Sequence, residues 1–271
     1  MRTLVILFGA LVRCAAVSNR DVAMGAAYFF VGSASMGAAR MGASQFLWIA
    51  SCIHIGAKGH DRDALLEYLG WARKSKARIA LIGDIIDAGL CFGTKHIGSV
   101  WDNDSSPEEQ IDIAEELFWG VRKQMDSINT GNHENRVEQL TSISPARAIA
   151  KRLSVPYHRA SHVLNWCGLK VFLAHGVSGG IMTDLNKVMQ AYEGFDVIAL
   201  GHVHELFHLP VRRYVCERSG LVKEKSVHLC RAGSFLRDAP YARFALHRPT
   251  EIGSIVLEMR GKNLRIHTGL P

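Results

Sequence analysis

The 271-residue sequence lacks the short glycine-rich motifs that bind nucleotide phosphates. Neither the P-loop pattern G-x-x-x-x-G-K-[ST] nor the Rossmann pattern G-x-G-x-x-G occurs, so neither of these two nucleotide cradles is supported. The six cysteines are scattered and form no C-x-x-C pair. In a chain of this length that distribution does not indicate a disulfide framework, and it favours reduced thiols and a cytoplasmic protein.

Long apolar runs are also missing from the sequence. Residues 3–12 (TLVILFGALV) follow Arg2 and resemble the core of a signal peptide, but Arg13 interrupts the run. No later run is long enough to span a bilayer, so we expect no stable membrane span. For residues 1–45 three interpretations stay open: an export signal, a membrane-associated arm, or an extension upstream of a start at Met41. We favour a dispensable extension.

Basic residues dominate only the last part of the chain. Residues 207–271 contain 12 Lys and Arg against five Asp and Glu, whereas residues 46–206 contain 16 against 19. The formal net charge is +7. A basic surface attracts polyanions, so nucleic acid is one partner that the composition allows. No run of clustered basic residues with interleaved aromatic residues occurs, and a solvated basic face without a partner is the simpler interpretation.

Five short apolar segments each lead into polar side chains. These predicted strands are residues 46–51, 78–82, 127–130, 169–174 and 197–200. The polar groups that follow them are Cys52 with His54, Asp84 with Asp87, Asn132 with His133, His175, and His202 with His204. Predicted helices at residues 61–76, 107–125 and 144–153 alternate with the strands, which favours a layered α/β fold. Since ligands bind beyond the carboxyl ends of strands in such sheets, we expect the polar side chains to meet there.

Imidazole, carboxylate and amide groups together suit divalent zinc, manganese or iron. Such a set can hold two cations about 3.5–4 Å apart, the separation typical of two-metal hydrolytic sites. Paired cations lower the pKa of a shared water and neutralise the charge of a phosphoryl group under attack. A protonated histidine nearby can then give its proton to the leaving alkoxide. The residue types therefore predict metal-dependent hydrolysis of a phosphate ester.

Five strings of residues resemble, in order and rough spacing, the motifs of the calcineurin-like metallophosphoesterase family. They are Cys52-x-His54, Gly83-Asp84-x-x-Asp87, Gly131-Asn132-His133-Glu134, His175-Gly176 and Gly201-His202-x-His204, against the family's D-x-H, G-D-x-x-D, G-N-H-[DE], H-G and G-H-x-H. Four of the five strings are complete, and the resemblance covers about residues 46–235. It implies a four-layer α/β/β/α sandwich, in which two mixed sheets lie face to face with helices outside. We expect a single domain at residues 46–271.

The resemblance also implies two groups of metal ligands that share one carboxylate. The first metal ion would be held by Cys52, His54 and His204, and the second by Asn132, His175 and His202, with Asp84 bridging both. His133 would not be a ligand but the general acid that faces the substrate. Asp87 would hydrogen-bond to His133 and keep it oriented and protonated.

Cys52 departs from the family pattern, which has Asp at this position. A thiolate can replace a carboxylate as an anionic ligand and binds zinc well, so the charge would be kept and the preference shifted toward zinc. Alternatively, Cys52 does not bind metal, the first site is weak or empty, and the protein is a binding module with little or no activity. We favour ligation by Cys52.

A second departure follows Asp87, where Ala88-Gly89 stands in place of the Arg-Gly of the family's protein phosphatases. The arginine that grips phosphate in that branch is therefore missing at this position. Arg136, just past the third motif, is the candidate to bind substrate phosphate through its planar guanidinium, and a helix-surface arginine is the alternative. We expect hydrolysis of a phosphomonoester or phosphodiester, with a nuclease of the same chemistry as the alternative.

Overall fold

The structure is a computed structural model. It describes residues 43–89, 103–177, 180–216, 219–237 and 251–271. The predicted boundary between residues 1–45 and 46–271 stays a prediction, because residues 1–42 lie outside the described ranges. Within these ranges, each helix is too short or too polar to cross a bilayer.

The described residues form two mixed β-sheets. The first sheet contains β1 (Gln45–Ala50), β2 (Arg78–Ile82), β3 (Met125–Asn129), β4 (Tyr157–His158), β10 (Ile255–Arg260) and β11 (Asn263–Thr268). The second contains β5 (Ser161–Trp166), β6 (Leu169–Ala174), β7 (Val197–Leu200), β8 (Leu206–Cys216) and β9 (Val222–Ala232). Their spatial orders are β11-β10-β1-β2-β3-β4 and β5-β6-β7-β9-β8. In the first sheet β1 to β4 are parallel, and in the second β6, β7 and β9 are parallel.

Five α-helices accompany the sheets in the described residues. They are α1 (Arg62–Ser75), α2 (Pro107–Trp119), α3 (Asn132–Thr141), α4 (Pro145–Leu153) and α5 (Thr183–Ala191). Side chains cap the first two helices, since the Asp61 side chain accepts from the Ala64 N–H and Ser106 forms a capping box with Glu109.

Three helices differ from the sequence-based prediction. The helix predicted at residues 107–125 ends at Trp119, where Gly120 is the C-cap, and Met125 already begins β3. Helices α3 and α5 were not predicted. Both are short, and α3 carries two buried residues on an otherwise polar sequence, so its apolar periodicity is weak.

The alternation of side chains along the strands produces four layers. In β1, Leu47 and Ile49 point into the core between the two sheets, whereas Trp48 and Ala50 point toward the helices. The core between the sheets combines residues of β1, β2 and β10 with residues of β6, β7 and β9. A separate cluster packs α5, through Leu185, on the outer face of the second sheet. The predicted fold class, two mixed sheets flanked by helices, is confirmed.

A buried imidazole lies beside the short strand β4. His162 stacks on His158 with ring centroids 3.9 Å apart and planes 4° apart. Both ring nitrogens of His162 are buried without a hydrogen-bond partner among the described residues. Burial, together with the positive charge that His158 can carry, lowers the pKa of His162 from 6.5 to about 4. The folded state therefore resists protonation of this ring.

We expect the substitution His162→Phe to make the protein less sensitive to acid. Between pH 6.5 and about 4 the unfolded chain binds the His162 proton more readily than the folded chain does. The free energy of unfolding therefore rises with pH in this window. The contribution of His162 is lost as the pH falls through the same window. Phenylalanine keeps the stacking and removes the titrating group. Thermal unfolding at about pH 7 and about pH 4 should show a smaller difference for the variant, and an unchanged difference would contradict the prediction.

Candidate metal centre

The loops after β1 and β7 bring together one thiol and two imidazoles. Cys52 Sγ and one ring nitrogen each of His54 and His204 lie within 4.8 Å of one another. The Nε2 atoms of His54 and His204 are 3.1 Å apart. Two nitrogens that bind one tetrahedral zinc ion at about 2.0–2.1 Å would be separated by about 3.3 Å. This group has the size and the donor atoms of a cation site.

A chain of buried side chains orients His54. The Nδ1 atom of His54 lies 2.9 Å from Asp87 Oδ1, and Asp87 Oδ2 accepts a hydrogen bond from Asn103 Nδ2 at 2.7 Å. Asn103 Oδ1 in turn accepts from Gln110 Nε2, and Gln110 Oε1 accepts from the Ala88 N–H. A proton on Nδ1 leaves the lone pair of His54 Nε2 directed at the cation position, the arrangement usual for metal-bound histidine. Burial raises the pKa of Asp87, but the contacts with His54 outweigh it and lower this pKa to about 2.

A second group of ligand atoms lies beside the first. Asn132 Oδ1 is 2.9 Å from His175 Nε2 and 2.8 Å from His202 Nδ1. The Asn132 Oδ1 position is also 3.1 Å from Asp84 Oδ2, which lies 3.0 Å from His175 Nε2. The parallel strands β2, β3, β6 and β7 each deliver one of these four residues at the carboxyl end. Two oxygen and two nitrogen atoms thus converge on one point.

The amide orientation of Asn132 is informative about this point. The amide oxygen faces the Asp84 carboxylate, and two acceptor oxygens at 3.1 Å repel each other. With the amide reversed, the nitrogen would donate to Asp84, and the oxygen would accept from Arg136 Nη2 at 3.1 Å. Hydrogen bonding alone therefore favours the reversed orientation. A cation at this point would instead bind the amide oxygen, and the four side chains converge in either orientation.

His175 presents a lone pair to the same point. Its Nδ1 atom lies 2.9 Å from the main-chain oxygen of Ile82, which fixes the proton on that side of the ring. Burial lowers the pKa of His175, but the Asp84 carboxylate outweighs burial and raises this pKa to about 9. The negative groups around His175 thus attract a positive charge at Nε2, where either a proton or a metal ion can supply it.

Asp84 and Cys52 lie between the two groups. Asp84 Oδ2 is 3.0 Å from His175 Nε2 and 4.0 Å from His54 Nε2, and Asp84 Oδ1 accepts from the His133 N–H at 2.9 Å. Cys52 Sγ accepts a hydrogen bond from the His202 N–H at 3.2 Å, and it also lies within 4.8 Å of ligand atoms of Asp84 and His175. Burial raises the pKa of Cys52, but His204 and its neighbours outweigh burial and hold this pKa well below the usual value. The thiol is thus placed to act as a thiolate.

Several candidate ligands have a left-handed backbone conformation. Positive φ angles occur at Cys52 (51°), His54 (55°), Asp84 (52°), His202 (71°) and His204 (60°). A non-glycine residue in this region costs about 1–3 kcal/mol and persists only where the surroundings enforce it. The strain concentrates where strands end and side chains must turn into the centre.

Glu134 enforces the conformation of the loop after β2. Its buried carboxylate accepts hydrogen bonds from the N–H groups of Asp84, Ile85, Ile86 and Gly131, at 2.6–3.1 Å. Burial and the nearby Asp84 carboxylate raise the pKa of Glu134 to about 7, and the N–H groups oppose this shift. The loop can pack this closely because residue 131 is glycine. A Cβ at this position would lie 2.1 Å from the Asp84 nitrogen.

A buried ion pair holds two loops of the second sheet in place. Arg231 on β9 forms an ion pair with Asp184, and both side chains are almost fully buried. Arg231 Nη1 also donates to the main-chain oxygen of Gly201 at 3.0 Å, directly before His202. Asp184 Oδ2 accepts from the Val177 N–H at 3.1 Å, two residues after His175. The pair therefore ties together the two loops that carry these histidines.

The residues predicted to act on the substrate lie beside the centre. His133 Nδ1 is 2.7 Å from the main-chain oxygen of Asp87 and 3.3 Å from its carboxylate, which is nearer to His54. The carboxylate was predicted to orient His133, and in the structure the carbonyl is the closer partner. Burial lowers the pKa of His133, and the Asp84 and Asp87 carboxylates only partly offset this. Arg136 reaches the amide of Asn132 from α3.

All five motif strings meet at one rim of the two sheets, as the sequence predicted. The fold and these residues resemble those of the calcineurin-like metallophosphoesterases. Cys52, Asp84 and Asn132 follow strands of the first sheet by two or three residues, and His175 and His202 follow strands of the second sheet by one or two. Metal binding by these residues stays a prediction, since the distances show only that they converge.

Comparisons with known proteins found similarity only among solved structures. No family model and no curated protein matches the sequence. A phosphoesterase from E. coli, Yfce, is 15% identical with a TM-score of 0.42, covering 81% of this chain and 90% of its own. A novel archaeal phosphodiesterase is 12% identical with a TM-score of 0.43, covering 82% and 98%. Vacuolar protein sorting 29 from Cryptosporidium parvum is 13% identical with a TM-score of 0.42, covering 83% and 96%. Such similarity identifies no function, which depends on the side chains described above.

The supporting residues were not predicted from the sequence. Glu134 stands in the third motif three residues after Gly131, and this capping-box spacing was the one available signal. Asn103 and Gln110 lie on a connection and a helix that carry no motif. Arg231 and Asp184 are separated by 47 residues, and a buried ion pair leaves no periodic pattern.

Proposed function

We propose that this metallophosphoesterase-like protein hydrolyses phosphate monoesters or diesters with two divalent cations. The observation that carries the proposal is the convergence of four side chains from different strands, since the amide of Asn132 lies 2.8–3.1 Å from His202 Nδ1, His175 Nε2 and Asp84 Oδ2. Imidazole nitrogens, a carboxylate and an amide gather at one point, and together they are a donor set that suits a divalent cation.

Bound cations would supply an activated water and neutralise the phosphoryl oxygens. The side chains of the protein then have separate tasks. His54 and His204 offer Nε2 atoms to the first position, and Asn132, His175 and His202 offer an oxygen and two nitrogens to the second. Asp84 lies between the positions and would reduce the repulsion between two cations held close together.

His133 and Arg136 would act on the substrate. With a proton on Nδ1 facing the Asp87 carbonyl, His133 keeps Nε2 free to exchange a proton with the substrate. Burial lowers the pKa of His133, whereas the negative charge of a bound phosphate would raise it, so the ring would take up the proton for the leaving oxygen as the substrate binds. Arg136 lies one helical turn after Asn132 and would bind a phosphoryl oxygen with its guanidinium.

We expect phosphoester hydrolysis to depend strictly on added divalent metal. Protein freed of metal with a chelator should be inactive toward p-nitrophenyl phosphate and bis-p-nitrophenyl phosphate, and activity should return with manganese or zinc. Metal content by elemental analysis should rise in parallel to two ions per chain. Single-stranded and double-stranded nucleic acids in the same panel test the nuclease alternative.

To control for contaminating enzymes, the rate of hydrolysis must follow the amount of this protein across purification fractions. A second round of chelation in magnesium-free buffer controls for residual metal. Turnover that survives chelation would contradict the proposal. Uptake of at most one ion, without turnover of any ester, would instead support the alternative of a binding module.

A further inference from the structure

We propose that the centre is chemically asymmetric, with a first position that selects zinc through the Cys52 thiolate and a second position that accepts a harder ion such as manganese. The inference rests on the proposed two-cation function. It concerns the identity of the ions that the protein selects, which the resemblance does not supply, because Cys52 stands where the family has a carboxylate.

The two positions differ in their donor atoms. The second position already has four ligands without sulfur, which are the oxygens of Asp84 and Asn132 and the nitrogens of His175 and His202. The first has two imidazoles, of His54 and His204, and needs Cys52 together with the shared Asp84 to reach four. Sulfur is therefore required at only one of the two positions.

The surroundings of Cys52 suit a ligand better than a packing residue. Its side chain is fully buried, yet its Sγ atom is surrounded by polar groups: the His202 N–H at 3.2 Å and the Ser51 hydroxyl at 3.4 Å, besides the imidazoles. An apolar cysteine such as Cys230 lies instead in the hydrophobic core between the sheets. Hydrogen bonds to a ligand sulfur orient it and tune its bond to the metal.

Local backbone geometry gives no other reason for a cysteine here. Cys52 has a φ angle of 51°, a conformation in which Asp, Asn and His are enriched and other residues are uncommon. Aspartate would therefore fit the backbone more easily. What cysteine adds is a soft anionic ligand, and thiolates select zinc and similar ions over manganese and magnesium, which prefer oxygen.

Cobalt(II) titration of the metal-free protein tests the asymmetry directly. The first equivalent should produce a thiolate-to-cobalt charge-transfer absorption in the near ultraviolet, and the second should add ligand-field absorption without increasing the charge-transfer band. Cys52→Ser and Cys52→Asp should abolish the band, whereas the matched buried variant Cys230→Ala should keep it. A band that doubles with the second equivalent would overturn the proposal, because the sulfur would then bridge both ions.

Metal competition provides a second measurement. After dialysis against equal zinc and manganese, the wild-type protein should retain one zinc per chain in preference to manganese. We expect Cys52→Asp to lower this preference about 100-fold or more, since even outer ligands contribute about 10–100-fold to affinity. Circular dichroism of both Cys52 variants identifies any that fail to fold, and Cys52→Asp, which suits the backbone, keeps the test available if Cys52→Ser does not fold.

The outcomes separate this inference from the proposed function. Hydrolysis without a charge-transfer band would leave the function standing and overturn the role of Cys52. A band with no hydrolysis of any phosphate ester would establish the zinc-selecting thiolate and contradict the function.

Discussion

Asp84→Asn is expected to reduce metal-dependent phosphoester turnover about 10³-fold or more, since removal of a single preorganised donor already costs about 10²–10³-fold. The substitution takes away the negative charge that lies between the two ligand groups, 3.0 Å from His175 Nε2 and 4.0 Å from His54 Nε2. Asparagine tolerates the φ angle of 52° and can still accept from the His133 N–H. The loss should therefore reflect metal binding rather than unfolding.

Asp126→Asn is the matched control for Asp84→Asn. Asp126 is a mostly buried aspartate near the start of β3, at the opposite end from the centre, where it pairs with Arg78. This variant should keep its activity and its two metal ions. The two proteins are compared by kcat, by elemental analysis and by thermal unfolding. Equal activity of Asp84→Asn and the wild type would show that Asp84 does not serve the chemistry.

Arg231→Met is expected to lower the free energy of unfolding by about 3–5 kcal/mol, the usual cost of leaving one charge of a buried pair uncompensated. The Arg231 and Asp184 side chains are 1% and 5% exposed, so water cannot replace the lost partner. The substitution also removes the donor to the Gly201 carbonyl beside His202. Denaturant unfolding followed by circular dichroism measures the effect.

Two further variants separate the charge effect from packing. Arg212→Met removes an arginine whose side chain is 80% exposed and pairs with the 48% exposed side chain of Glu224, and it should cost no more than about 1 kcal/mol. Arg231→Met combined with Asp184→Leu should recover part of the loss, with a coupling energy of about 0.5–3 kcal/mol. Recovery stays incomplete because the carbonyls of Gly180, Ile181 and Gly201 lose their donor. Additive losses would show that the pair is not coupled.

The strands and the polar residues just past them could be predicted because both depend on local sequence. Short apolar runs such as Val197–Leu200 leave few alternatives, and a polar residue just past a parallel strand can only face the rim of the sheet. The sequence could not predict that the Asp87 carboxylate lies nearer to His54 than to His133. Which imidazole lies nearer to its carboxylate depends on loop geometry of a few tenths of an ångström, with distances of 2.9 Å for His54 and 3.3 Å for His133, and the motif spacing does not determine it.

The parts of the fold that escaped prediction share a physical cause. Helix α3 begins at Asn132, whose side chain lies in the centre, so the first turn is polar and the apolar periodicity is weak. Buried charges such as Glu134 and Arg231 depend on partners distant in sequence, in the loop after β2 and on α5. Single-sequence patterns do not contain those pairings.

The residues with positive φ at the rim limit which amino-acid substitutions this protein can accept. At most exposed positions many amino acids are interchangeable, but a ligand with positive φ must satisfy two demands at once. Glycine would relax the backbone of His202 or His204 and remove the imidazole, whereas a β-branched residue would neither bind metal nor adopt the conformation. A saturation library should therefore tolerate almost nothing at these positions, and the rim would diversify through the side chains around it.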